Sequence, residues 1–134
     1  MGNLNFLEKS ISPNIAYATH QCAHFSQDPR ASHGDTIIHL VKYLKDTRMQ
    51  GIMLYPKGRK SFEVYAGAKF SGKWHGPTVG NNPSTAKSQT GYAILYAGFL
   101  IIWCSKTQTQ IALSTTKADY IALSQLLCNA IPMM

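Results

Sequence analysis

Few groupings in this sequence have the residue types and spacing to carry chemistry. The string GAKFSGKW, residues 67–74, comes within one residue of a phosphate-binding loop, GxxxxGK followed by Ser or Thr. Trp74 stands where the magnesium-binding hydroxyl belongs, and the HGPTVG that follows cannot open the helix whose N-terminus would hold the phosphates. A nucleotide loop is therefore rejected. His20, Cys22 and His24 offer an HxxxH pair on one helical face, short of the three or four convergent donors that a metal site needs. We read these histidines as surface or partner-facing. Lys57, Arg59 and Lys60 cluster on a turn, preceded by Lys45 and Arg48, and fit either a solvated turn or contact with a nucleic-acid backbone. Asp119, three residues after Thr116, also has two readings: a capping-box acid, or a metal-binding carboxylate projecting from the first turn of a helix.

The elements that must position these residues change character near residue 56. Ser12 followed by Pro13 predicts an N-cap with proline at the first helical position, and Ile15, Thr19, Cys22 and Phe25 recur at helical spacing until Asp28-Pro29. Ser32 with Asp35 forms a capping-box pattern ahead of Ile37, Leu40, Val41 and Leu44, which predicts a second helix to about Arg48 with Gly51 as its stop. Residues 52–55 read as a short strand. Beyond the Pro56-Lys57-Gly58 turn the period becomes extended, with strands predicted over 62–70, 92–97 and 99–106, the last two joined by a tight Ala97-Gly98 turn. The long segment between the first two is rich in Gly, Pro and Asn, and is either functional or decayed. A last helix, capped by Thr115 or Thr116, is predicted to present Tyr120, Leu123, Leu127 and Ile131 on one face and to end at Pro132. The expected class is α+β: two N-terminal helices, then three antiparallel strands and one helix. One helix leaves the far face of the sheet uncovered and at least one edge unpaired, so the architecture reads as incomplete.

Composition bounds what this scaffold could do. A chain of 134 residues is one domain's worth, and 45% apolar content rules out a disordered tail. Charged residues are only 14%, against a usual share of about 25%. Thirteen Lys and Arg face six acids, Glu8, Asp28, Asp35, Asp46, Glu63 and Asp119, for a formal charge of +7. That balance favours polyanion partners and leaves little carboxylate chemistry. The N-terminus lacks the basic and apolar pattern of a signal peptide, and Phe6 stands where a myristoylation signal wants Ser or Thr. The longest apolar stretch, residues 91–104, has 14 residues, below the roughly 18–20 needed to span a bilayer as a helix. No membrane association is expected. Cys22, Cys104 and Cys128 are odd in number and far apart, so neither a disulfide framework nor a zinc site is indicated, and a reducing, intracellular setting fits best.

Five blocks in order, SPNIAYATHQCAHFSQDPRASHG (12–34), HLVKYLKDT (39–47), FEVYAGAKFSG (62–72), TAKSQTGYAILYAG (85–98) and IIWCSKTQTQIALSTTKADYIALS (101–124), resemble the C-terminal part of the Pol polyprotein of copia-type retrotransposons. The resemblance covers nearly the whole chain from Ser12. It implies that residues 1–56 match the helical end of the reverse transcriptase region, and 57–134 the N-terminal half of a ribonuclease H domain. Such a domain opens with three antiparallel strands and a helix, after which this chain would end. The parent activities would be RNA-directed DNA synthesis and hydrolysis of RNA in RNA–DNA hybrids by two Mg2+ ions held by several carboxylates.

Carried over residue by residue, the resemblance points to a lost site. The family's Asp-Ala-Asp triplet on the first strand reads Gly67-Ala68-Lys69 here, and its Thr-Glu-Ala-Glu-Tyr pattern reads Thr116-Lys117-Ala118-Asp119-Tyr120. Asp119 alone keeps a carboxylate, while Lys69 and Lys117 add positive charge where cations would bind, at a cost of about 1–4 kcal/mol per close like-charged pair. The resemblance therefore implies no bound Mg2+ and no catalysis by this chain. Acids at Gly67, Lys69 and Lys117 would change the charge by −1, −2 and −2, taking +7 to +2. The basic balance then reflects lost carboxylates more than a nucleic-acid partner. Two other classes stay open: a nucleic-acid-binding module using Lys57, Arg59, Lys60, Tyr65 and Trp74, and an inert or scaffolding remnant. The partners implied are an RNA–DNA hybrid or other nucleic acid, and the rest of the Pol polyprotein.

Overall fold

The computed structural model describes residues 2–27, 29–55, 60–70 and 86–134. They fall into two units, 1–54 and 55–134. The expected turn at Pro56-Lys57-Gly58, the long segment 71–85, and with them Asp28, Lys57, Arg59 and Trp74, lie outside the described residues.

The first unit is helical. A first helix, α1 (Gly2–Ser10), adds to the two expected, so the described residues of this segment carry three α-helices. Leu4, Asn5 and Leu7 of α1 are half-buried and Glu8 is buried, a mixture of two leucines with polar residues that gives no apolar stripe in the sequence. Pro13 opens a single 3-10 turn, Pro13–Ile15, with Ser12 before it, and α2 (Ala16–His24) follows directly. Pro13 thus starts the helical path, but the Ser12 side chain makes no capping hydrogen bond. Ile15, Thr19 and Cys22 are buried as their spacing predicts, and Phe25 is half-buried.

The third helix, α3 (Ala31–Asp46), departs from expectation at both ends. Ser32 does not cap it. The chain enters the helix at Arg30, whose N–H donates to Nδ1 of His33 at 3.1 Å, while Ser32 lies in the first turn with its carbonyl accepting from the Thr36 hydroxyl at 2.9 Å. The helix closes at Thr47, whose N–H reaches the Tyr43 carbonyl at 2.9 Å, followed by a Gln50 to Thr47 turn of 2.8 Å. Gly51 takes no left-handed conformation and is not the stop. Along α3, Leu40 is buried and Ile37 and Leu44 half-buried, whereas Val41, expected on the same stripe, is 52% exposed. Residues 52–55 form no strand: Ile52, Met53, Leu54 and Tyr55 are exposed, and no described strand supplies the ladder partner that an extended run requires.

The second unit is an antiparallel meander with one helix. The strands β1 (Phe62–Lys69), β2 (Gln89–Tyr96) and β3 (Phe99–Thr107) lie in the order β1-β2-β3. β2 begins earlier than predicted, because Gln89 and Thr90, though polar, pair with Lys69 and Ala68 on one side and Thr107 and Lys106 on the other. Ala97 (φ 51°) and Gly98 (φ 84°) form the two-residue turn between β2 and β3; both central residues are left-handed, as a hairpin matching the twist of its strands requires. Between the pairs Leu95–Leu100 and Ile94–Ile102 the register shifts, leaving Ile101 as an extra residue of a β-bulge. Ile101 and Ile102 both pack on the core, which centres on Ile94, Leu126 and Ala130 and includes Phe62, Val64 and Tyr92.

Helix α4 (Thr115–Ala130) lies on β1 and β2. Ser114 caps it by accepting the Lys117 N–H at 3.1 Å, so neither Thr115 nor Thr116 is the cap. The face expected inward is the outward one: Tyr120 is 68%, Leu123 41%, Leu127 38% and Ile131 64% exposed. Ala118, Ala122, Leu126 and Ala130 are buried in their place. Strand side chains already fill the core, and the alanines allow the helix to lie close over them. Gln108, 1% exposed, ties this arrangement together: its side-chain amide donates to Thr90 Oγ1 at 3.0 Å and to the Ala118 carbonyl at 2.8 Å, and its own N–H reaches the Ser88 carbonyl at 2.8 Å. Among the described residues, no helix is long and apolar enough to cross a membrane.

Candidate functional site

Of the residues singled out on β1 and at the start of α4, Asp119 meets the end of β1. Alternation along β1 sets Val64, Ala66 and Ala68 toward α4 and Gly67 and Lys69 toward the opposite face. Ser114 fixes where α4 starts, which places Asp119 in the second turn, above the end of β1. There Asp119 Oδ1 accepts the Ala68 N–H at 2.9 Å. That amide would otherwise face outward from β1, since β1 pairs with β2 along its other edge. Asp119 therefore does the work of a strand carbonyl at the β1 edge, within one residue of both Gly67 and Lys69.

The other positions do not converge on this carboxylate. Gly67 sits opposite Gly91 in the ladder, and a Cβ there would meet nothing within 4 Å. Lys69 and Lys117 are exposed, and the Lys117 backbone is engaged in the Ser114 cap. Among the described residues, no group of three or more His, Cys, Asp or Glu side chains is placed to hold a metal ion. A shallow groove between β1 and α4 is lined by Val64, Tyr65, Ala66, Thr116, Asp119, Tyr120 and Leu123, apolar surface with hydroxyls and one acid.

The remaining sequence candidates are separate from this place. Burial first, and then the proximity of His24, hold the His20 imidazole below its ordinary range, which favours the neutral ring that metals bind. With Cys22 buried and its thiol pushed up by burial, the HxxxH pair nonetheless gains no described third donor. Of the basic turn only Lys60 is described, and it is exposed. Tyr65, the aromatic considered for base stacking, donates its hydroxyl to Glu63 Oε2 at 3.1 Å, and that hydrogen bond, then the carboxylate's charge, then burial raise its phenol. An acid beside the ring disfavours a phosphate neighbour. Gln108 was missed in the sequence: a polar residue between a strand and a helix carries no periodic signal, and its importance comes from burial alone.

Comparison with known proteins agrees with the block-wise resemblance. No protein-family model and no solved structure matches the chain. It is 26% identical over 125 residues to the secreted RxLR effector protein 161 of Plasmopara viticola, covering 93% of this chain and 82% of that protein. It is 28% identical over 125 residues to the retrovirus-related Pol polyprotein from transposon TNT 1-94 of Nicotiana tabacum, and 27% over 120 residues to that from transposon RE1 of Arabidopsis thaliana. The matches cover 93% and 90% of this chain but only 9% and 8% of those polyproteins. Over about nine-tenths of its length, the chain is thus similar to one stretch of the retrovirus-related Pol polyproteins of copia-type transposons.

Proposed function

We propose that this chain is a catalytically silent counterpart of the junction between the reverse transcriptase and ribonuclease H regions of a Pol protein. Residues 1–56 would stand for the closing helices of the first region and 57–134 for the opening half of the second. In the parent its partner would be the rest of the Pol polyprotein. The observation that carries the reading is the commitment of Asp119, whose Oδ1 is taken by the Ala68 amide while lysines occupy positions 69 and 117. Two-metal hydrolysis needs several converging carboxylates to hold its ions and lower the pKa of the attacking water. One carboxylate, with lysines at positions 69 and 117, does not fit a Mg2+ pair. The test is an assay of a labelled RNA–DNA hybrid with the purified protein and Mg2+ or Mn2+. The expected result is no cleavage above that of the Asp119→Ala variant; cleavage that vanishes in this variant would overturn the reading.

The formal charge of +7 favours a second reading, weak contact with nucleic-acid phosphates. Binding of this kind falls steeply with salt, so a complex unchanged between about 50 and 200 mM salt would exclude it.

A further inference from the structure

Helix α3 starts on an unusual partner. In the common capping box, a Glu or Gln at the third helical position accepts the N–H of the residue that precedes the helix. Here the third position is His33, and its ring nitrogen Nδ1 accepts the Arg30 N–H at 3.1 Å. The ring is held in place from the side: it stacks on Phe25, with centroids 4.5 Å apart and an interplanar angle of 17°. His24, at the end of α2, meets that phenylalanine edge-on at 5.0 Å.

A carboxamide accepts at every pH, but an imidazole does not. Nδ1 can accept only while it carries no proton, and in the imidazolium both nitrogens are donors. Protonation would set one donor against another at the Arg30 amide. It would also place a cation in the first turn of α3, the positive end of the helix, three residues after Arg30. The stack on Phe25 tolerates either state, because a cation over a ring face is favourable, so the ring could stay on Phe25 while releasing the amide. The charged and titratable groups nearest along the chain are Arg30 at the helix start, Asp35 within α3, and His24, whose ring also meets Phe25; Asp28 precedes them outside the described residues.

We propose that His33 is a pH-sensitive cap, which closes the start of α3 when neutral and opens it when protonated. Stability of this helix start is then present while the ring is neutral and lost once Nδ1 carries a proton. Nitrogen chemical shifts of the His33 ring in the full chain report the tautomer directly, and a proton on Nδ1 at pH 8 would overturn the proposal without any variant. Amide exchange, corrected for the intrinsic effect of pH, then reads the cap. Protection of the Arg30 amide should fall about fivefold between pH 8 and pH 5 in the wild type, the effect of a typical cap. In His33→Gln it should stay high at both, and in His33→Ala low at both. A fall of equal size in His33→Gln would assign the effect to another group, His24 first, and would sink the idea.

Discussion

Helices α3 and α4 are each 16 residues long, yet they are seated in different ways. α3 buries one residue fully, Leu40, and turns Ile38, Val41 and Tyr43 outward. α4 buries four, three of them alanine, and its first turn is bound to β2 through Gln108. Bulky side chains keep a helix at a distance and fill the gap with their own volume. Alanines bring the backbone down onto a core that other elements have filled, so the fit depends on what is absent from the helix. The first arrangement tolerates adjustment, and the second does not.

That difference can be tested from its strongest effect downward. Leu126→Ala should cost about 3–5 kcal/mol, because the cavity lies between a rigid sheet and a closely seated helix, whereas Leu40→Ala should cost about 2 kcal/mol. Amide hydrogen exchange resolved by residue would measure each unit separately; equal losses would erase the contrast. Next, Ala122→Leu should destabilise by about 1–3 kcal/mol through overpacking, while Leu123→Ala, one residue on, should stay within about 0.5 kcal/mol. Denaturant titration of both variants checks this, and the reverse order would return the bulky stripe to the core. At the other end of α4, Asp119→Ala should lose about 0.5–1 kcal/mol with the Ala68 hydrogen bond, and Asp119→Asn, which can still accept, should lose less. A last effect, confined to alkaline pH, concerns Tyr92, which is packed on the core and accepts from Asn129 Nδ2 at 3.2 Å. Burial first, and then the neighbouring Cys104 thiol, push its phenol up to about 12. The folded state prefers the neutral phenol, so its contribution is complete below the ordinary tyrosine range near 10 and is lost as pH rises through about 12. An alkaline absorbance titration should show one tyrosine ionising late, and Tyr92→Phe should remove that component.

Much of the scaffold was legible in the sequence because it rests on local chemistry. The Ala97-Gly98 turn, the three strands and the burial of Ile15, Thr19 and Cys22 follow from turn residues and periodicity. The orientation of α4 does not, because its sequence carries two stripes at helical spacing. Periodicity cannot say which one a preassembled sheet will accept, and the larger side chains point to the wrong one. Ser114 and Gln108 were equally invisible: each depends on geometry set by the other end of a hydrogen bond. The run Ile52 to Tyr55 shows the converse, since strand-like residues without a ladder partner form no strand. At the candidate site, the sequence identified Asp119 as the carboxylate to watch and left its role open. The Ala68 contact depends on how α4 lies against β1, which only the fold supplies.

The bulge in β3 has a consequence for changes of chain length. Loss of one residue inside a strand normally turns every later side chain to the wrong face. At Ile101 the arithmetic differs: Leu95 pairs with Leu100 and Ile94 with Ile102, so removing the residue between them leaves each partner opposite its present mate. The hairpin can therefore absorb a single-codon deletion at that point, giving up one isoleucine of the core and some local twist. The same deletion at Trp103 would invert the rest of the strand.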